Sequence, residues 1–177
     1  ADHYGPHDVR GGTGMDVPPH PHIGLQTVSW LLEGEIGHLD SLGSEALLRP
    51  GGVNVMTSGA AIAHAEMTPR DHTGKLNGVQ LWTALPDRDR HRAAAFQHVP
   101  EVPRVELAGG LVDVFSGALD GVQSPAGHFS PIVGADVQVH RGATLAVPLV
   151  PGHPAAQAAA QAAAQASAKA APARRSV

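Results

Sequence analysis

The sequence has no cysteine, few aromatic residues and no long apolar segment, and each absence excludes a class of protein. Without cysteine the chain forms no disulfide and offers no thiolate to a substrate or a metal ion, which fits a reducing compartment and a cytoplasmic location. Aromatic residues make up 3% of the 177 residues, so the core has to be built mainly from valine, leucine, isoleucine and alanine. No apolar stretch is long enough to cross a bilayer, and we therefore expect no membrane partner.

Clusters of basic residues are also missing. The formal net charge is -4, with 12 lysine and arginine residues against 16 acidic ones. The only adjacent arginine pair, Arg174-Arg175, lies at the end of the chain. A surface that binds nucleic acid needs lysine and arginine gathered on one face, so we expect no direct contact with nucleic acid.

Turn-forming residues are abundant instead. The 21 glycines and 15 prolines separate short runs rich in strand-forming residues, and turns recur about every 8–12 residues, a spacing typical of an all-β sandwich or barrel. This organisation predicts a first β unit, a connecting arm, part of a second β unit and a low-complexity alanine-rich tail that is transiently helical. Their expected bounds are 1–86, 87–103, 104–154 and 155–177.

Two short pairs of side chains, His20 with His22 and His64 with Glu66, carry the strongest chemical signal. Residues spaced i, i+2 leave the same face of a β-strand. If the two strands meet inside a barrel, three imidazoles and one carboxylate converge on one point. Such a donor set predicts a metal site that suits iron, and equally manganese, cobalt, nickel, copper or zinc. Alternatively, His20 and His22 are simply polar residues beside a proline turn.

The order and spacing of several short motifs resemble the pirin family, a branch of the cupin superfamily. The similarity is specific over about residues 2–85 and looser as far as 151. The resemblance implies a double-stranded β-helix (jelly-roll) barrel, followed here by an incomplete second cupin. The motifs that carry it are 20–24, 31–34, 40–43, 50–52, 56–59, 64–67 and 80–82.

The resemblance also implies a metal ion, usually iron, in the N-terminal barrel. It implies that His20, His22, His64 and Glu66 are the four metal ligands. Four protein ligands around an octahedral ion leave two positions for dioxygen, water or a chelating substrate.

The leading hypothesis for function is an iron-dependent dioxygenase of the quercetinase (quercetin 2,3-dioxygenase) type, which cleaves a flavonol with dioxygen and uses Glu66 as the candidate base. One alternative is a metal-dependent regulatory module that binds another protein. Another is an inactive, truncated fragment, since the second cupin is incomplete. If the shortened chain is instead the natural form, the tail or a second copy has to cover the exposed sheet.

Several polar side chains near these motifs need separate interpretation. Many pirins carry glutamate at or beside position 26, so Gln26 is either a hydrogen-bond partner in the pocket or a surface residue, and we favour the pocket. Gln80 is a second candidate to face the cavity, whereas Trp82 is expected to fill the core. The remaining histidines have no partner at ligand spacing and are expected at the surface or in loops: His3, His7, His38, His72, His91, His98, His128, His140 and His153.

Overall fold

A computed structural model describes residues 1–12 and 14–147, and the regular elements in those ranges are all β-strands. The described ranges contain no helix long and apolar enough to span a bilayer. In chain order the strands are β1 (Asp2–Asp8), β2 (Asp16–His22), β3 (Leu25–Glu33), β4 (Ile36–Asp40), β5 (Glu45–Leu48), β6 (Val53–Thr57), β7 (Ile62–Met67), β8 (Lys75–Ala84), β9 (Ala95–Val99), β10 (Arg104–Leu107), β11 (Gly110–Ser116), β12 (Ala118–Leu119), β13 (Val122–Gln123) and β14 (Gly134–Val139).

Two antiparallel sheets face each other and enclose a barrel. The five-stranded sheet has the order β1-β8-β3-β6-β9, and the four-stranded sheet has the order β2-β7-β4-β5. Side chains from the two sheets meet between them: Gln80 on β8 bonds to Glu66 on β7, and His38 on β4 stacks on Phe96 on β9. The predicted all-β barrel is confirmed, and both of the predicted ligand pairs lie on strands of its four-stranded sheet.

Strand β3 is buried on both of its faces, and this decides which of its side chains can reach the barrel interior. Its register with β8 pairs Ser29 with Gln80, so Ser29 lies on the inner face. Because successive side chains alternate, Val28 and Trp30 lie on the outer face. There they join a buried apolar cluster with residues from β6 and from the chain beyond the barrel: Val53, Val55, Val102, Phe115 and Ala126.

The chain after the barrel forms a smaller β unit that covers this outer face. The segment expected to connect the two units, 87–103, contains β9, which pairs with β6. Strands β10, β11 and β14 then form a three-stranded antiparallel sheet over a second apolar cluster that includes Val112 and Val114. The predicted partial second cupin, 104–154, lies within the described residues only as far as residue 147. The predicted tail, 155–177, lies outside the described residues.

The turn between β3 and β4 closes the apolar end of the barrel and requires glycine. Gly34 has φ of +90°, and a Cβ built there would lie 2.2 Å from the carbonyl oxygen of Lys75. A side chain is therefore excluded both by backbone conformation and by space. The strands that the turn joins, β3 and β4, contribute Leu31 and Ile36 to a buried apolar cluster. The other members of the cluster are Leu48 and Leu76.

Candidate metal centre

Strands β2 and β7 bring three histidines to one point inside the barrel. Their antiparallel register places His20 directly opposite His64. The Nε2 atom of His64 lies 3.0 Å from Nε2 of His20 and 3.1 Å from Nε2 of His22. Three convergent imidazole nitrogens are a donor set that a divalent transition metal ion binds well, so these residues fit a metal.

A hydrogen bond to the backbone orients the first of these histidines. Nδ1 of His20 lies 2.9 Å from the carbonyl oxygen of Pro18. A carbonyl oxygen only accepts, so Nδ1 carries the proton and Nε2 presents its lone pair to the centre. This partner could not be named from the sequence, because it depends on the backbone path of β2.

The carboxylate of Glu66 lies beside the histidines and accepts hydrogen bonds from Gln80 on the opposite sheet. Glu66 is buried, and both of its carboxylate oxygens accept from Nε2 of Gln80, at 3.0 and 2.9 Å. The His20, His22 and His64 ligand atoms form one group with separations within 4.8 Å, whereas Glu66 falls in a second such group with His38 and His64. The two groups share His64, so the Glu66 carboxylate lies beside the histidine cluster while it accepts from Gln80.

His38 belongs to the centre, and the expectation that it lies at the surface or in a loop is wrong. It sits on β4 opposite Glu66 and is only 2% exposed. Its Nε2 lies 3.1 Å from Oδ2 of Asp40, and its ring stacks on Phe96 with 4.0 Å between centroids. The signal was present in the sequence, because His38 and Asp40 have the same i, i+2 spacing as the two predicted ligand pairs.

Gln80 and Trp82 contact the centre from β8. Gln80 faces the interior as expected, and its Nε2 also donates to Oγ of Ser29 at 3.2 Å. Trp82 does not fill the core, because 52% of it is exposed. Its ring lies edge-on to that of His22, with centroids 5.1 Å apart, and its indole N–H donates to Oε1 of Gln80 at 3.2 Å.

Gln26 lies on the other side of the sheet, so its expected place in the pocket is wrong. It is 1% exposed, and its Nε2 donates to Oγ1 of Thr57 at 3.0 Å and to the carbonyl oxygen of Gly127 at 3.1 Å. Gln26 and Ser29 are an odd number of residues apart on β3, so they face opposite sides of the sheet. Gln26 therefore joins the barrel to the second β unit.

Burial keeps His64 and His22 in the neutral form that binds metals. Burial and then the neighbouring His20, His38 and His22 rings lower the pKa of His64 to about 3. Burial likewise lowers the pKa of His22, while it raises the pKa of Glu66 against the opposing hydrogen bond from Gln80. Since a metal ion binds the neutral imidazole, His22 and His64 need to release little or no proton when an ion enters at neutral pH.

Comparison with known proteins identifies the barrel. Residues 1–83 match the family model described as Pirin. A candidate quercetin 2,3-dioxygenase of Pseudomonas aeruginosa is 45% identical over 150 residues, covering 85% of this chain and 47% of the relative. A pirin-like protein of Caulobacter vibrioides is 38% identical over 154 residues, covering 83% of this chain and 54% of the relative.

A solved structure gives the same result in three dimensions. A crystal structure of quercetin 2,3-dioxygenase from Acinetobacter baumannii superposes with a TM-score of 0.80 and 42% identity, covering 84% of this chain and 50% of that one. The chain thus spans about half the length of the relatives that it matches.

Proposed function

Because this chain belongs to the pirin family of cupin proteins, we propose that His20, His22, His64 and Glu66 hold one metal ion and that the ion is iron. The observation that carries the proposal is the convergence of three Nε2 atoms, with His64 3.0 and 3.1 Å from its neighbours. Glu66 is the next residue on the same face of β7 and adds a carboxylate oxygen to the nitrogen donors. Manganese, cobalt, nickel, copper and zinc are the competing ions for such a donor set.

We infer further that the site cleaves a flavonol with dioxygen, as the names of relatives suggest. When bound, iron supplies Lewis acidity and redox chemistry toward dioxygen. Glu66 accepts the proton of the flavonol hydroxyl at a carboxylate oxygen, Gln80 holds that carboxylate in place, and ring opening releases carbon monoxide. The proposal retains the cytoplasmic location that the cysteine-free sequence predicts.

The test is turnover of quercetin by protein loaded with one equivalent of ferrous iron. Loss of flavonol absorbance together with carbon monoxide release under air is the expected result. E66Q keeps the size of the side chain but removes the base, so it should lower kcat about 10²–10⁴-fold. Q26L, on the other face of the sheet, is the matched control and should retain turnover. No turnover by fully iron-loaded wild-type protein would exclude the dioxygenase function.

A second candidate function is that of a metal-dependent module that binds another protein. Among the residues that the structure describes, β14 has a neighbour on one side only, and it exposes Val137 and Val139. An open strand edge with apolar side chains can pair with another chain. A stoichiometric partner captured only by the metal-loaded protein, and lost on removal of the metal, would favour this function over catalysis.

A further inference from the structure

An unbroken path of hydrogen bonds runs from the surface of the barrel to the carboxylate of Glu66. The indole N–H of Trp82 donates to Oε1 of Gln80 at 3.2 Å. Nε2 of the same amide donates to both oxygens of Glu66, at 3.0 and 2.9 Å. The outer end is about half exposed, whereas Gln80 and Glu66 are buried at 8% and 6% exposure.

Only one orientation of the Gln80 amide satisfies both of these neighbours. An indole N–H can only donate, and an ionised carboxylate can only accept. Oε1 must therefore face Trp82, and Nε2 must face Glu66. If the indole N–H were removed, Oε1 would lose its donor, and the amide would be held only through Nε2 by Glu66 and Ser29.

We propose that Trp82 and Gln80 are positioning residues that act in series on Glu66. The indole fixes the amide, and the amide fixes the carboxylate beside the three histidines. Trp82 has no direct contact with Glu66 in this path, so the effect of its indole N–H on the carboxylate passes through Gln80. The inference rests on the proposed metal site, in which Glu66 is a ligand, but it does not depend on which substrate is used.

Proximity to a second proposed ligand strengthens the assignment. The Trp82 ring lies edge-on to His22, with 5.1 Å between centroids. The same side chain therefore borders a histidine donor directly and reaches the carboxylate donor through one amide. Hydrogen-bonding partners of metal ligands commonly change metal affinity 10–100-fold when they are removed.

The test is a double-mutant cycle on cobalt affinity in the full chain, with Co²⁺ as the probe. Dissociation constants come from competition with a chromophoric chelator, and the cobalt absorption spectrum reports the ligand set. Q80L should weaken binding about 10–100-fold. W82F keeps an aromatic ring but loses one hydrogen bond, and it should weaken binding about 2–10-fold. W82F keeps the ring beside His22 and removes only the N–H that bonds to Gln80, so the double variant W82F/Q80L should bind no more weakly than Q80L alone.

A matched control separates positioning from general damage to the fold. Trp30 is buried on the outer face of the same sheet, where it stacks on Phe115 with 5.0 Å between ring centroids. W30F makes the same chemical change as W82F and should lower the melting temperature while leaving cobalt affinity unchanged. W82F, at a half-exposed position, keeps the inference testable if Q80L does not fold.

Several outcomes would overturn the inference. They are wild-type affinity in both single variants, fully additive losses in the double variant, or wild-type protein that binds no cobalt. The proposed activity fails separately: a normal cobalt cycle with no flavonol turnover would exclude the dioxygenase function and leave the positioning role supported.

Discussion

Acid should destabilise the metal-free protein through His64, because the folded barrel resists protonation of this residue. Burial and the surrounding imidazoles lower its pKa from 6.5 to about 3. The unfolded chain therefore binds the proton first as the pH falls below about 6.5. Stability that is fully present above that pH is lost progressively as the pH falls toward the folded-state pKa.

The size of the effect follows from the linkage between protonation and folding. Each tenfold change in proton concentration within this window changes the free energy of unfolding by about 1.4 kcal/mol for one such group. Between pH 7 and pH 4, His64 alone should cost the protein about 3 kcal/mol. That is a large fraction of the roughly 5–15 kcal/mol that stabilises a typical domain.

The assay is urea denaturation at pH 7, 5.5 and 4 after removal of metal with a chelator. H64Q changes the free energy of unfolding at all three pH values, but it removes the titrating group. Between pH 7 and pH 4, the free energy of unfolding of H64Q should therefore fall by about 3 kcal/mol less than that of the wild type. H3Q, at an exposed position on β1, is the control and should follow the wild type. Parallel pH dependence in wild type and H64Q would refute the reasoning.

Two further predictions concern the parts of the fold that hold the site. Q26L removes hydrogen bonds to Thr57 and Gly127 on the outer face and should lower the free energy of unfolding by about 1–3 kcal/mol; a loss of metal affinity in the same variant would contradict the placement of this side chain. G43A should cost about 1 kcal/mol, because φ is +83° but nothing lies within 4 Å of the added Cβ. G34A should cost at least about 3 kcal/mol, since it adds a clash with the Lys75 carbonyl, and equal melting temperatures for the two variants would show that the clash is absent.

The convergence of the three histidines could be anticipated from the sequence because it depends only on strand periodicity and on the order of the motifs. His20 and His22 share a face whatever the exact length of the turns between strands. The same period links His38 to Asp40, so the spacing marks this pair as well. Its burial depends on packing against Phe96, for which the local sequence carries no signal. Its place opposite Glu66 follows from the β4–β7 register, which the sequence does not specify.

The side of the sheet on which Gln26 lies could not be predicted for a different reason. An alternation of polar and apolar residues along a strand reveals its inner face only when its other face is exposed to solvent. Residues 26–31 of β3 are all buried, because the second β unit covers the outer face, so no alternation marks Gln26 as outward. The expectation that Trp82 fills the core is wrong because it relies on the usual burial of large aromatic side chains. Here the ring lies at the exposed end of a hydrogen-bonded path.

The most direct test of the proposed metal centre is elemental analysis of the purified protein beside the double variant H64A/E66A. About one iron per chain in the wild type, and none in the variant, is the result that the geometry predicts. Circular dichroism melting of both proteins establishes that the variant is folded. Absence of any bound metal from folded wild-type protein after incubation with ferrous iron, or equal iron in both proteins, would contradict the assignment of these residues as ligands.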